Sequence, residues 1–308
     1  MIVFILSTQK AEIMKKPSKY LIIAGTFFTS LSSIIIRFSQ APALAIAAYR
    51  MLFTCLMLSL PVYIKNKNEF KEINKKDFAM CVISGVFLAL HFASWIQSIQ
   101  MTTIANSTIL VSSSPVFVAL MNYFLLKEKI TGKMAAGIAM SLIGTVIIGT
   151  GSSRGSETGM MVGNVLAFLG AVSVAGYFVI GGFVRRTVSA GVYVYIVYSV
   201  SALVLVAMCL FAGIPLFPYP PREFILFFLL SFFSSILGHT TFNYLMKYYS
   251  STLISVATLI EPIFASLMAL VAFREIPSLY TIIGGIIIIS GIYFCLIKKD
   301  AAREEQHP

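Results

Sequence analysis

The sequence predicts an all-α polytopic membrane protein with ten transmembrane helices arranged as two inverted five-helix repeats. Three observations carry that prediction. The 308 residues are 58% hydrophobic and only 11% charged, with a mean hydropathy of +0.90, a balance that would precipitate a water-soluble chain. Apolar runs of about 20 residues, each enough to cross a hydrocarbon core ~30 Å thick, recur ten times. Two stretches of chain separated by an offset of 147 residues carry the same landmarks in the same order.

The spans fall near residues 19 to 38, 43 to 64, 78 to 98, 104 to 126, 134 to 150, 162 to 184, 191 to 213, 223 to 244, 251 to 273 and 279 to 297. The connections left over are short, so no extramembrane catalytic domain fits between them. With the N-terminus in the cytoplasm, 18 basic residues lie on inside segments, among them Lys15, Lys16, Lys75, Lys76, Lys127 and Arg185. Only Arg37, Arg154, Arg222 and Arg274 lie outside, and Arg50 falls within a span. That asymmetry places both termini in the cytoplasm, and the membrane expected is a plasma (inner) membrane. The net charge of +11 is therefore read as topology, and no nucleic-acid partner is expected. The first thirteen residues lack a basic n-region and a small-residue cleavage site, so they are not a signal peptide. Met14, just before Lys15 and Lys16, is an alternative start.

The offset of 147 brings Pro115 onto Pro262, Lys127-Glu128 onto Arg274-Glu275, Gly137 onto Gly284 and Gly144 onto Gly291. Five spans per half is an odd number, so the second half must be inverted relative to the first. The expected organisation is a cytoplasmic tail (1–18), a first five-helix repeat (19–150), an external linker (151–161), a second repeat (162–297) and a cytoplasmic tail (298–308). Inverted repeats create a two-fold axis in the membrane plane, and rocking one half against the other exposes a midplane site to each side in turn. The function expected is a secondary transporter of small organic metabolites. A membrane-embedded enzyme, or a non-transporting receptor or channel built on a symmetric bundle, is the alternative.

Chemistry-bearing motifs are sparse. Gly149-Thr-Gly-Ser-Ser-Arg-Gly lacks the GxxxxGK[ST] spacing and follows no strand, and no HExxH is present. Cys55, Cys81, Cys209 and Cys295 lie far apart in four different apolar runs, which supports neither a disulfide framework nor a metal site. No cofactor is expected.

The segments around the repeated prolines, Ser113-Ser-Pro-Val-Phe-Val-Ala-Leu to Leu126-Lys-Glu-Lys-Ile-Thr and Leu259-Ile-Glu-Pro-Ile-Phe-Ala to Phe273-Arg-Glu, each precede a glycine-spaced span. With Ala48-Tyr-Arg50 in the second span, they resemble the EamA type of the drug/metabolite transporter superfamily over most of the chain. The resemblance implies ten helices in two inverted halves, a central cavity, and transport of small metabolites such as amino acids, often as export. A departure is Ala175-Gly176-Tyr177 in the sixth span, where members of the family often carry tryptophan.

Polar side chains inside a bilayer are costly and normally face the bundle interior or a wet cavity, which makes them the candidate site. Arg50 lies about seven residues, or ~11 Å, into its span. It can neutralise a substrate carboxylate, switch partners between states, snorkel to the interface or sit in a fixed ion pair. His91, Trp95 and Ser98 share one face of the third span at i, i+4 and i+7. Trp95 can stack a planar or amphipathic cargo or anchor the outer interface. The eighth span offers His239, Asn243 and Tyr244 at the matching level. The two histidines can bind cargo, carry a proton or satisfy interhelical hydrogen bonds.

Thr108 and Ser112 lead to Pro115 in the fourth span, and Thr258 leads to Pro262 in the ninth. Proline lacks an N–H and clashes with the carbonyl four residues back, so both helices should bend. Paired breaks at matching places in the two halves point to a transport site. Glu128 and Glu275 end their helices where the dipole disfavours an anion. Each should take a cationic partner from another helix, because the adjacent Lys127 and Arg274 project from different faces, and form a structural or gate-closing ion pair. Glu261 lies near the bilayer midplane, where a carboxylate costs at least ~2.5 kcal/mol. It should be neutral, paired or wet, with Arg50 or His239 as candidate partner, and it is either a proton-coupling group or a fixed hydrogen-bond acceptor that stiffens the bend. Its repeat counterpart is Ser114, so the acid is an asymmetric feature of a symmetric frame. The expected partners are a small-molecule substrate, the lipid bilayer and a coupling proton or exchange substrate; the sequence indicates no oligomeric state.

Overall fold

The computed structural model describes residues 17–18, 20–126, 132–153 and 158–296, and the regular structure among them is entirely helical. The helices are α1 (Tyr20–Phe38), α2 (Ala43–Asn66), α3 (Lys75–Met101), α4 (Ile104–Val111 and Ser114–Leu126) and α5 (Gly132–Ser153). The second repeat supplies α6 (Thr158–Val184), α7 (Ala190–Phe211), α8 (Pro221–Leu229, Leu230–His239 and Thr240–Leu245), α9 (Ser251–Ala257, Thr258–Ile260 and Glu261–Phe273) and α10 (Leu279–Leu296). Among the described residues, eight stretches are long and apolar enough to cross a bilayer, and the shorter apolar helices Ala135–Ile148 and Leu279–Gly291 lie in α5 and α10. The chain is thus a ten-helix membrane protein of two inverted five-helix repeats.

Helix boundaries follow capping as well as hydropathy. α3 extends three residues beyond the apolar run at each end, because Asn74 Oδ1 accepts the Asp77 N–H at 2.8 Å and makes the polar first turn helical. Thr103 and Ser189 start α4 and α7 in the same way.

The helices pair across the repeats: α3 lies along α6, α2 along α7, α1 along α8 and α5 along α10. The last pair displays the two-fold axis directly. A Cβ on Gly144 would lie 2.6 Å from the Gly284 carbonyl oxygen, and one on Gly291 would lie 2.6 Å from that of Gly137. The offset of 147 exchanges these two contacts with each other. At the crossing itself Ser141 Oγ donates to Ile288 O at 3.5 Å, and these two residues are each other's repeat counterparts. With backbones this close, Gly144→Leu should overpack the crossing and cost about 1–3 kcal/mol. Gly159→Ala, with nothing within 4 Å of the added carbon, should be neutral. Thermal unfolding followed by size exclusion in detergent distinguishes the two, and equal midpoints would refute the close crossing.

The spans that carry the repeated prolines, Pro115 and Pro262, are both interrupted at matching repeat positions. α4 stops at Val111 and restarts at Ser114, while α9 tightens into a 3₁₀ turn over Thr258–Ile260 and restarts at Glu261. Each proline is the second residue of its new helix, where the N–H it lacks would have no intrahelical partner anyway. The helices therefore stop and restart instead of bending through the proline. Ser113 holds the first break, with its N–H and its Oγ both bonded to Leu110 O at 3.1 and 2.7 Å.

α8 carries a feature absent from its repeat counterpart α3. Leu230–His239 is wound as a π-helix, ending in a Thr240 N–H to Ser235 C=O bond five residues back. Such widened turns expose extra carbonyls and concentrate at functional sites.

Candidate functional site

A crevice lies between the two halves at the level of the helix breaks. The first half lines it with Thr29, His91, Trp95, Val111, Ser112 and Ser114, and the second with Val174, Phe178, His239, Phe242, Thr258 and Glu261. Each half contributes six residues. Trp95 and Phe242, Val111 and Thr258, and Ser114 and Glu261 are pairs related by the offset of 147. The frame of the cavity is symmetric and its chemistry is not.

His91 and Trp95 stack with ring centroids 5.7 Å apart and planes 9° from parallel. His91 Nδ1 lies 2.9 Å from Gly170 O, which can only accept, so Nδ1 is the donor. Trp95 is 2% exposed, so it is a cavity wall and not an interfacial anchor. His239 faces His91 at 6.4 Å between centroids.

Glu261 accepts a 3.3 Å hydrogen bond from Thr29 Oγ1, and no ion pair joins it to Arg50 or His239 among the described residues. Its place in the wall gives the carboxylate access to the crevice.

Arg50 is fully buried, which excludes a snorkelling side chain. Its Nε donates to Ser235 Oγ on the π-helical segment at 2.8 Å, and its guanidinium carbon lies 4.0 Å over the Phe92 ring. Ser231 of the same segment bonds the Arg50 carbonyl at 2.8 Å. Two serines four residues apart on one helix thus meet the same arginine.

Four residues expected at the cavity lie elsewhere. Ser98 Oγ bonds Ser107 Oγ at 2.8 Å, and Thr108 Oγ1 bonds its own helix at Ile104 O. Asn243 is taken up by Tyr177, Tyr198 and the His239 carbonyl, while Tyr244 packs on Tyr248. A shared helix face is broad enough to serve both a cavity and a helix contact, and these side chains fall on the contact. Thr29, Phe178 and Phe242 were not anticipated. Thr29 belongs to a buried stripe, Thr26, Thr29, Ser30 and Ser33, whose helical spacing is a usable signal; the two phenylalanines carry none.

At one end of the bundle the two halves are latched together. Glu275 Oε2 lies 3.6 Å from Arg37 Nη2 on α1, and Glu275 Oε1 accepts the Ile104 N–H at the start of α4 at 2.6 Å. Arg37 Nη2 also donates to Thr102 O at 2.7 Å. Arg274 makes the geometry available: its left-handed backbone, φ 56°, ends α9 and turns the chain toward α1 and α4. Glu223, which receives the Gln40 N–H at 3.1 Å and also Ser39 Oγ, ties the α1–α2 loop to α8. Lys127 and Glu128 lie outside the described residues.

The EamA-like transporter family profile matches residues 17–150 and 161–297, once per repeat. An uncharacterized transporter of Archaeoglobus fulgidus is 27% identical over 259 residues, covering 82% of this chain and 88% of that protein. The pseudopaline exporter CntI of Pseudomonas aeruginosa is 24% identical over 280 residues, covering 90% and 95%. A crystal structure of a protein superposes with a TM-score of 0.63 at 15% identity, covering 94% of this chain and 98% of that one; at that identity the fold is what the two share. With both repeats matched, the chain belongs to the EamA-like transporter family and is a multi-pass membrane transporter.

Proposed function

We propose that the protein is a secondary active transporter that exports small organic metabolites, such as amino acids or related amphiphilic compounds, by alternating access across the plasma membrane. The observation that carries this reading is the cavity itself, built in equal parts from two inverted halves where α4 and α9 are both interrupted. Broken helices free local backbone from the regular ladder, and paired breaks allow the halves to rock about a fixed site. The Glu275 latch is then the outer gate of one state, and its release accompanies outward opening. Likeness to a protein named as an exporter supports the direction. Glu261, in the wall with no ion pair among the described residues, is the group suited to couple a proton.

Purified protein in vesicles tests the reading by counterflow. Saturable exchange of labelled amino acid, recovered chemically unchanged, is expected. Conversion of the solute to another compound, or no movement of any amino acid, would sink it. Orientation is checked separately: a cysteine at Ser153 should react with an impermeant thiol reagent from outside and one at Asn68 should not, and the opposite pattern would reverse the cytoplasmic placement of the termini.

A further inference from the structure

At the end of the bundle opposite the Arg37–Glu275 pair, the short α2–α3 connection lies against the α6–α7 connection of the other repeat. Two carboxylates make that contact. Glu69, in a single helical turn (Glu69–Glu72), accepts the Ser189 N–H at 2.6 Å and Asn66 Nδ2 at 3.1 Å. Asp77, in the first turn of α3, accepts from Thr187 Oγ1 and from Asn74 Nδ2, each at 2.8 Å. Because Thr187 is bonded to Asp77, their chain neighbours Arg186 and Lys76 come into one neighbourhood from the two repeats.

These bonds engage the acids of the segment with the fold and not with its cations. Lys67, Lys71, Lys75, Lys76 and Arg186 are all exposed, and none of them is in an ion pair among the described residues. Of the acids in residues 67–77, Glu72 alone is still exposed. The depth of the cations points to the membrane. Lys67 Nζ lies 5.4 Å over the Tyr63 ring and the Arg186 guanidinium carbon 5.5 Å over the Phe183 ring, so both turn back toward the apolar ends of their helices. Next to Lys67, Leu56, Leu60 and Ile64 stand exposed on one face of α2 at i, i+4 and i+8, a strip that a lipid tail covers on a spanning helix. Uncompensated positive charge at the end of such a strip meets net negative charge in the headgroup of an anionic phospholipid and none in that of a zwitterionic one.

We propose that this end of the bundle binds an anionic phospholipid, its phosphate among Lys71, Lys76 and Arg186 and an acyl chain along Leu56, Leu60 and Ile64. The cations come from both repeats, so the bound headgroup bridges the repeats at the end opposite the Arg37–Glu275 pair. The site is separate from the cavity and independent of what the cavity carries.

The purified full-length protein in detergent is titrated with phosphatidylglycerol or with phosphatidylcholine of the same acyl chains, and bound lipid is counted by native mass spectrometry. Phosphatidylglycerol should bind at least about fivefold more tightly, the factor that corresponds to ~1 kcal/mol for a basic side chain near a headgroup. Lys71→Gln/Lys76→Gln/Arg186→Gln should bring the two lipids to equal affinity while leaving that of phosphatidylcholine as it was, a selective loss that misfolding does not produce. Lys71→Gln alone should weaken phosphatidylglycerol by about fivefold on the same scale and phosphatidylcholine not at all. Arg222→Gln, which removes an exposed cation at the other end of the bundle, should keep the preference. Equal affinities in the wild-type protein, a preference unchanged in the lysine and arginine variants, or one lost as readily in Arg222→Gln would each overturn the proposal. Displacement of the lipid by inorganic phosphate, beyond the effect of chloride at the same ionic strength, would also overturn it, because the cations would then serve a soluble phosphate.

Discussion

Cross-linking cysteines introduced at Arg37 and Glu275 with a short reducible thiol reagent, in a chain whose four native cysteines are replaced, should bring flux to the level of protein-free vesicles, and reduction should restore it. The two side chains join α1 to the α9–α10 connection at 3.6 Å, and the same carboxylate holds the first amide of α4. A covalent tie there prevents the outer ends of the halves from separating. Removing the native pair without cross-linking should have a small effect, since a partly exposed ion pair contributes only about 0–1 kcal/mol. The contrast between mild loss and complete block is the informative part. If the cross-linked protein carries solute at the uncross-linked rate, the outer ends do not separate during transport and the latch is only structural.

Glu261→Gln should retain solute exchange at saturating substrate and lose accumulation driven by a pH gradient. The amide is nearly isosteric with the acid and keeps an acceptor for Thr29 Oγ1, the carboxylate's one side-chain hydrogen-bond partner among the described residues, so the local fold has little reason to change. What the amide lacks is the ability to take up and release a proton as the cavity opens to each side. One pH unit of gradient is worth ~1.36 kcal/mol, or about tenfold in concentration, when one proton moves per cycle. The variant should therefore fall from about tenfold accumulation to none under that gradient, on the same scale. Gradient-driven accumulation equal to wild type would remove Glu261 from the coupling step. Loss of folded protein would assign it to stiffening the restart of α9.

The large features of the fold are written at low resolution in the sequence. Apolar run length gives the spans, and the offset joining Pro115 to Pro262 and Gly144 to Gly291 gives the inversion. These signals are legible because a bilayer imposes one length and one polarity on every helix. The site was partly legible for the same reason: His91, Trp95, Ser112, His239, Thr258 and Glu261 stand out as polar or aromatic groups where lipid tolerates few, and all six line the cavity. Ser98, Thr108, Asn243 and Tyr244 stood out equally and proved to bond between or within helices, because hydropathy does not tell a helix contact from a cavity. The π winding of Leu230–His239 had no counterpart in any pattern of period 3.6. The restart of α4 at Ser114 instead of a bend at Pro115 is a matter of capping, in which Ser113 satisfies Leu110 twice.

Alternating access is tested most directly by the accessibility of the cavity wall from each side. A single cysteine at Ser112, which lines the cavity and is 5% exposed, is labelled with impermeant thiol reagents applied either inside or outside oriented vesicles, before and after the outer ends are tied through Arg37 and Glu275 by a thiol-independent cross-link such as a carbodiimide-formed amide on an Arg37→Lys background. The expected result is labelling from both sides in the untied protein, and from the cytoplasmic side alone once the tie is made. Outside labelling that persists undiminished in the tied protein would contradict the account.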